Sequence, residues 1–119
     1  MSEKNTILVV EDDEKIREPL CAQLEAAGFD VTCCDNGIVA LDSARVKCFA
    51  AVITDYGLPG LNGAEIARAL RLQCPATFIV GISAGRKEKD FLSAGTDVFL
   101  PKPFFFRTLI DLVQQRLKS

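Results

Sequence analysis

The chain has no histidine, and that absence excludes Ser-His-Asp and Cys-His catalysis, histidine-ligated zinc and any role as a phosphohistidine donor. No apolar run approaches the roughly 18 residues that span a bilayer. Residues Met1 to Thr6 are polar where a secretory leader turns apolar. A cytoplasmic protein without membrane contact is the expectation. Lys and Arg number 14 against 16 Asp and Glu, for a net charge of -2, and they are scattered. The basic stripe of a nucleic-acid binder is therefore missing, and no direct nucleic-acid partner is expected. The five cysteines (Cys21, Cys33, Cys34, Cys48, Cys74) include no C-x-x-C pair and lie mostly in apolar segments. They read as reduced core filler in a reducing compartment. Repeats, linkers and low-complexity tracts are also absent.

What is present is a well-filled single domain over residues 1–119, with 49% hydrophobic and 25% charged residues. Short unalternating apolar runs recur at Ile7–Val10, Val31–Cys34, Ala50–Ile53, Phe78–Ile82 and Val98–Leu100. Runs of this length suit strands buried on both faces. Between them, apolar residues recur at helical spacing, as in Ile16, Leu20, Leu24 and Leu109, Leu112, Val113. Five strand-helix alternations imply an α/β fold with a doubly wound, five-stranded parallel sheet. The economical strand order is 2-1-3-4-5, which opens a crevice at the carboxyl ends of strands 1 and 3. Pro19 falls inside the first helical segment and predicts a kink or a late helix start, because an interior proline removes a hydrogen bond and clashes.

That topology brings four features to one crevice: Glu11-Asp12-Asp13-Glu14, Asp55, Ser83 and Lys102. Each has a plain structural explanation taken alone: Asp12 or Asp13 as a helix cap, Asp55 and Ser83 as turn residues, Lys102 as a solvated amine. Together they raise an electrostatic problem. Carboxylates about 5 Å apart repel by roughly 3 kcal/mol per pair at an effective dielectric near 20. One divalent cation plus the Lys102 ammonium would balance Asp12, Asp13 and Asp55. Hard oxygen donors with room for water and phosphate oxygen favour magnesium, or manganese in its place, over calcium or zinc.

These residues resemble the receiver domains of two-component response regulators. The resemblance covers essentially the whole chain and rests on linked motifs. They are Ile7-Leu8-Val9-Val10-Glu11-Asp12-Asp13, Asp55-Tyr56-Gly57-Leu58-Pro59-Gly60-Leu61-Asn62-Gly63, Ser83-Ala84, Ala94-Gly95-Thr96-Asp97 and Lys102-Pro103-Phe104. It implies a flavodoxin-like (βα)5 fold and a phosphoacceptor that switches the strand 4-helix 4-strand 5-helix 5 surface. By resemblance, Asp55 takes a phosphoryl group from a sensor histidine kinase or a histidine phosphotransfer protein. Asp13 ligates the metal directly, Asp12 largely through water, and the Gly57 carbonyl completes the protein's share. Lys102, beside a cis bond to Pro103, and Ser83, with the Ala84 amide next to it, meet the phosphoryl oxygens. Phe99 matches the aromatic that moves inward with the Ser83 hydroxyl. A downstream protein target is implied, and a homodimer is an open option.

The chain departs from the family pattern in three places. Ser83 to Gly95 spans 12 positions, about a helical turn less than usual, so a short or partly melted fourth helix is expected. Gly57 and Gly85 leave no side chain over the site, which predicts a phosphoryl lifetime of intermediate length. Phe105 and Phe106 follow Phe104 where polar residues are usual, and at least one of them should be exposed for a protein contact.

Other readings compete. A phosphatase of the haloacid dehalogenase type needs an acid aspartate two residues past the nucleophile, where Gly57 stands, so a turnover enzyme is not expected. A flavodoxin needs a hydroxyl- and glycine-rich phosphate loop where this chain carries Glu11 to Glu14. A receiver-fold interaction module that is never phosphorylated remains the alternative. No effector follows Ser119 in this sequence, so action by binding is the expectation.

Overall fold

In the computed structural model, which describes residues 5–118, five strands alternate with five helices. The strands are β1 (Thr6–Val10), β2 (Asp30–Cys34), β3 (Ala51–Asp55), β4 (Phe78–Ser83) and β5 (Val98–Pro101). The helices are α1 (Glu14–Ala26), α2 (Gly37–Val46), α3 (Gly63–Gln73), α4 (Glu88–Ala94) and α5 (Phe106–Lys118). All strand pairs are parallel and the sheet order is β2-β1-β3-β4-β5, as expected from the sequence. Of the expected domain, residues 1–4 and Ser119 lie outside the described residues, as does most of the polar amino-terminal segment.

Successive side chains of a strand point to opposite faces, so the apolar runs feed two cores. Ile7, Val9, Ile53, Val80 and Ile82 pack with Leu20 and Leu24 of α1 and Leu109 and Val113 of α5. Leu8, Val10, Val52 and Ile79 pack on the other face with Ala40 and Ala44 of α2 and Ile66, Ala67 and Leu70 of α3. Helix starts follow local capping chemistry. Asn36 Oδ1 accepts the Val39 amide at 2.9 Å, and Asn62 with Glu65 forms a reciprocal capping box.

The structure corrects two expectations. The first helix does not start late: it begins at Glu14, capped by Asp13, and is continuous through Pro19 to Ala26. Pro19 is exposed, so the carbonyl one turn earlier that loses its amide partner faces water, and the penalty is reduced. The cysteines are not all reduced filler. Cys21–Cys33 and Cys48–Cys74 are disulfide-bonded, with Cα separations of 6.8 and 5.7 Å, and Cys34 is the free, buried thiol among the described residues. Tertiary contacts join residues far apart in the chain, which a search for closely spaced pairs does not detect.

Helix α4 has seven residues and is short, as the deletion predicted. Phe91 is fully buried, and a Cβ on Gly81 of β4 would come within 2.5 Å of its ring. Glycine at 81 thus vacates the volume that Phe91 fills. The α4 start has no side-chain cap at Lys87, whereas its end is closed by Gly95 in the left-handed region at φ 102°.

At the opposite end of the sheet from the crevice, the Arg71 guanidinium ties three segments. It donates to the carbonyls of Pro75, Thr77 and Gly95 at 2.8, 2.8 and 3.0 Å and to Asp97 Oδ2 at 2.8 Å. The same Asp97 oxygen accepts the Ile79 amide at 2.9 Å.

Candidate phosphoryl and metal site

Strand β3 ends at Asp55, whose carboxylate lies almost fully buried at the carboxyl edge of the sheet, where the order of strands reverses. Lys102, just past β5, extends its Nζ to Asp55 Oδ1 at 3.2 Å and to Glu11 Oε1 at 2.9 Å. Ser83 ends β4 and is buried; its Oγ accepts the Gly85 amide at 3.0 Å, while its carbonyl accepts the Lys102 amide at 2.9 Å. The Lys102-Pro103 bond is cis. The sequence-predicted Asp55, Lys102 and Ser83 therefore share one crevice. Ala84 borders it, exposed, immediately after Ser83.

The acidic run after β1 divides differently from the sequence reading. Carboxylate oxygens of Glu11, Asp12 and Asp55 lie within 4.8 Å of one another. Asp13 does not join them: its Oδ1 accepts the Lys15 amide at 2.9 Å and caps α1. Glu11, which the sequence reading did not single out, has no exposed surface and accepts the Asp13 amide on Oε2 at 3.1 Å. A local signal was available. Glu11 directly continues the buried strand Ile7–Val10, whereas Asp13 precedes the first helical residues and fits the N-cap position.

Burial pushes the Glu11 carboxyl above the ordinary range, against the opposing hydrogen bond from Lys102. Burial likewise raises Asp55, opposed by the Lys102 charge. For Lys102, burial works to lower the pKa, but the hydrogen bond to Glu11 and the charges of Asp55 and Glu11 together hold it above the usual lysine value. Three carboxylates facing one ammonium leave negative charge in excess. The all-oxygen, hard donor set fits magnesium or manganese. A Cβ at Gly57 would meet nothing within 4 Å, so the mouth of the site is open on that side.

Aromatic rings lead away from the site. Tyr56, next to Asp55, meets Phe91 edge to face at 5.7 Å, and Phe91 meets Phe99 at 5.9 Å. Lys87 Nζ lies 4.6 Å from the centre of the Tyr56 ring. Half-buried Phe99 lines a groove of about 500 Å³ with Arg86, Lys89 and Pro101. Of the phenylalanine pair, Phe105 is 82% exposed, while Phe106 packs on the α1–α5 core against Phe104.

The response regulator receiver domain family matches residues 7–114. The transcriptional activator protein PfeR of Pseudomonas aeruginosa is 41% identical over 101 residues, covering 82% of this chain and 33% of PfeR. The response regulator receiver protein CpdR of Brucella abortus is 33% identical, covering 93% of this chain and 95% of CpdR. Among solved structures, response regulator TrrA of Thermotoga maritima, in complex with Mg(2+)-BeF, is 31% identical with a TM-score of 0.85, covering 95% and 98% of the two chains. A CheY-like receiver domain from Methanospirillum hungatei, 24% identical with a TM-score of 0.90, shows the same fold. The chain belongs to the response regulator receiver domain family. It is a phosphoacceptor domain of two-component signal transduction, with an acidic pocket that suits magnesium. It spans about a third to a half of the first curated relatives it matches. No described helix is long and apolar enough to cross a membrane.

Proposed function

We propose that Asp55 is the phosphoacceptor, taking the phosphoryl group from a phosphohistidine on a sensor kinase or histidine phosphotransfer protein. The observation that supports this most is the contact of one ammonium, Lys102 Nζ, with both Asp55 Oδ1 and Glu11 Oε1, beside a third carboxylate on Asp12. Asp12, Asp55 and the Gly57 carbonyl would hold magnesium or manganese with Glu11 beside them, whereas the family resemblance assigns direct ligation to Asp13, which caps α1 instead, and a largely water-mediated place to Asp12. When bound, that ion neutralises charge on the phosphoryl oxygens.

The chain's own groups supply the rest. An Asp55 carboxylate oxygen forms the new bond to phosphorus as the bond to the histidine nitrogen breaks. Lys102, already between two acids, compensates the charge added at Asp55. The Ser83 hydroxyl accepts from Gly85 and keeps its own proton for a phosphoryl oxygen, with the Ala84 amide as a second donor. Phe99 follows Ser83, so the strand 4-helix 4-strand 5-helix 5 surface changes for a downstream protein. Positioning and charge balance suffice for this transfer, which explains how a site without histidine can serve. With Gly57 in place of an acid, turnover hydrolysis lacks a general acid, and the open mouth supports a phosphoryl lifetime of intermediate length.

The test is incubation with magnesium and a small acyl phosphate, read by intact mass. The expected result is one added phosphoryl group on the wild type and none on Asp55→Asn. No addition to the wild type, or full addition to the variant, would overturn the assignment.

A further inference from the structure

A second chemically active feature lies at the end of the sheet opposite Asp55. Cys48 precedes β3 and Cys74 caps the end of α3, and the two are bonded. Their accessibilities are unequal: Cys48 is exposed, while Cys74 is 3% exposed. The two segments are also held together without the bridge. Gln73 Nε2 donates to the Ala44 carbonyl and Thr77 Oγ1 to the Phe49 carbonyl, each at 2.8 Å, and the Phe78 amide donates to the Ala50 carbonyl at 3.0 Å. A groove of about 410 Å³, lined by Cys48, Phe49, Gln73, Cys74 and Pro75, runs beside the sulfurs.

We propose that Cys48–Cys74 is a reversible thiol–disulfide exchange site for a small monothiol of the glutathione class, with Cys48 as the modified residue and Cys74 as the resolving one. The incoming thiolate attacks the exposed Cys48 sulfur, forming a Cys48–S–S–R bond as the Cys48–Cys74 bond breaks. The electron pair leaves on Cys74, which takes a proton from solvent. In the reverse step the Cys74 thiolate attacks Cys48 and releases the small thiolate. No external oxidant is consumed, because one disulfide replaces another. The hydrogen bonds across the two segments keep Cys74 placed for that return, and the groove gives the adduct a surface to lie on. Thiolation would add a charged group beside the groove lined by Phe49 and Pro75.

Cys34 is the internal control. It is buried, and burial pushes its thiol up to about 11, so it should stay unreactive in the folded chain. The Cys21–Cys33 bridge has a similar exposure asymmetry, with Cys33 exposed and Cys21 buried, and serves as a second comparison in the peptide map.

The chain is equilibrated with graded ratios of reduced to oxidised glutathione, quenched in acid, alkylated and mapped by peptide mass. At intermediate ratios the adduct is expected on Cys48 in excess of Cys74 by more than about tenfold, with Cys34 unmodified. Cys74→Ser should accumulate the Cys48 adduct, and Cys48→Ser should place none on Cys74. Beryllofluoride binding, measured in parallel, should persist in every redox state. Equal adduct on both cysteines, no Cys48–Cys74 bond at any ratio, or reaction only as fast as Cys34 would each overturn the proposal. The wild-type map decides it even where a serine variant fails to fold.

Discussion

Glu11 has no exposed surface, and Lys102 Nζ at 2.9 Å is the charge that meets it. Removing the ammonium leaves the buried Glu11 and Asp55 carboxylates facing each other without a counter-charge, so Lys102→Ala should destabilise the metal-free chain by roughly 3 kcal/mol at neutral pH. Urea unfolding checks this, and the loss should shrink in acid as Glu11 takes a proton. The wild type has its own pH slope. Burial raises the Glu11 and Asp55 pKa values in the folded chain. From about pH 4 up to those raised values the folded state therefore holds more protons than the unfolded one. Stability contributed by these two groups is full at the acid end of that window and lost as pH rises through it. Asp55→Asn removes one ionisation and should flatten the slope over that window, read by urea unfolding as a function of pH. Lys102 acts at the far end: its stabilisation is present below the ordinary lysine pKa and is lost as pH climbs through its raised value.

Helix α4 shows how one deletion is accommodated. A helix of seven residues offers few positions to anchor it, and Phe91 supplies the anchor by filling the space that Gly81 leaves on β4. Gly81→Val should crowd that ring and cost about 1–3 kcal/mol. Combining it with Phe91→Ala should recover part of the loss, a coupling that a double-mutant cycle measures. The start of α5 makes the contrast. Phe105→Ser removes an exposed ring and should change stability by less than about 0.5 kcal/mol, whereas Phe106→Ser strips a ring from the core edge and should cost clearly more. A loss of partner binding in Phe105→Ser at unchanged stability would assign that ring to recognition.

On the scale of the whole molecule, ligand binding and folding are linked. Magnesium held by the folded acidic cluster at a hundredfold its Kd should stabilise the domain by about 2.7 kcal/mol. Chelation should reverse this, and Asp55→Asn should abolish most of it in thermal melts. The architecture was legible in the sequence because strands buried on both faces leave continuous apolar runs. Each observed strand lies within a residue or two of its expected span, and the sheet order is the expected one. Local detail within the acidic run was less legible. Among four consecutive acids the only signal was position relative to the strand and helix ends, and the turn from β1 into α1 sends Glu11 inward and spends Asp13 on a cap. The cysteine pairs were illegible for a different reason, since segments 12 and 26 residues apart meet only through tertiary packing.

Arg71 holds the Gly95 carbonyl at 3.0 Å and Asp97 at 2.8 Å, while α4 begins at Lys87 without a side-chain cap. The short helix is thus a cantilever, clamped at the root and uncapped at the tip, and the uncapped tip is the end nearest Ser83. A force applied there should appear as a swing about Gly95 rather than a slide along the sheet. Hydrogen exchange should then loosen in the first turn of α4 on phosphorylation and stay unchanged at the Ile79 amide, which is pinned to the same root.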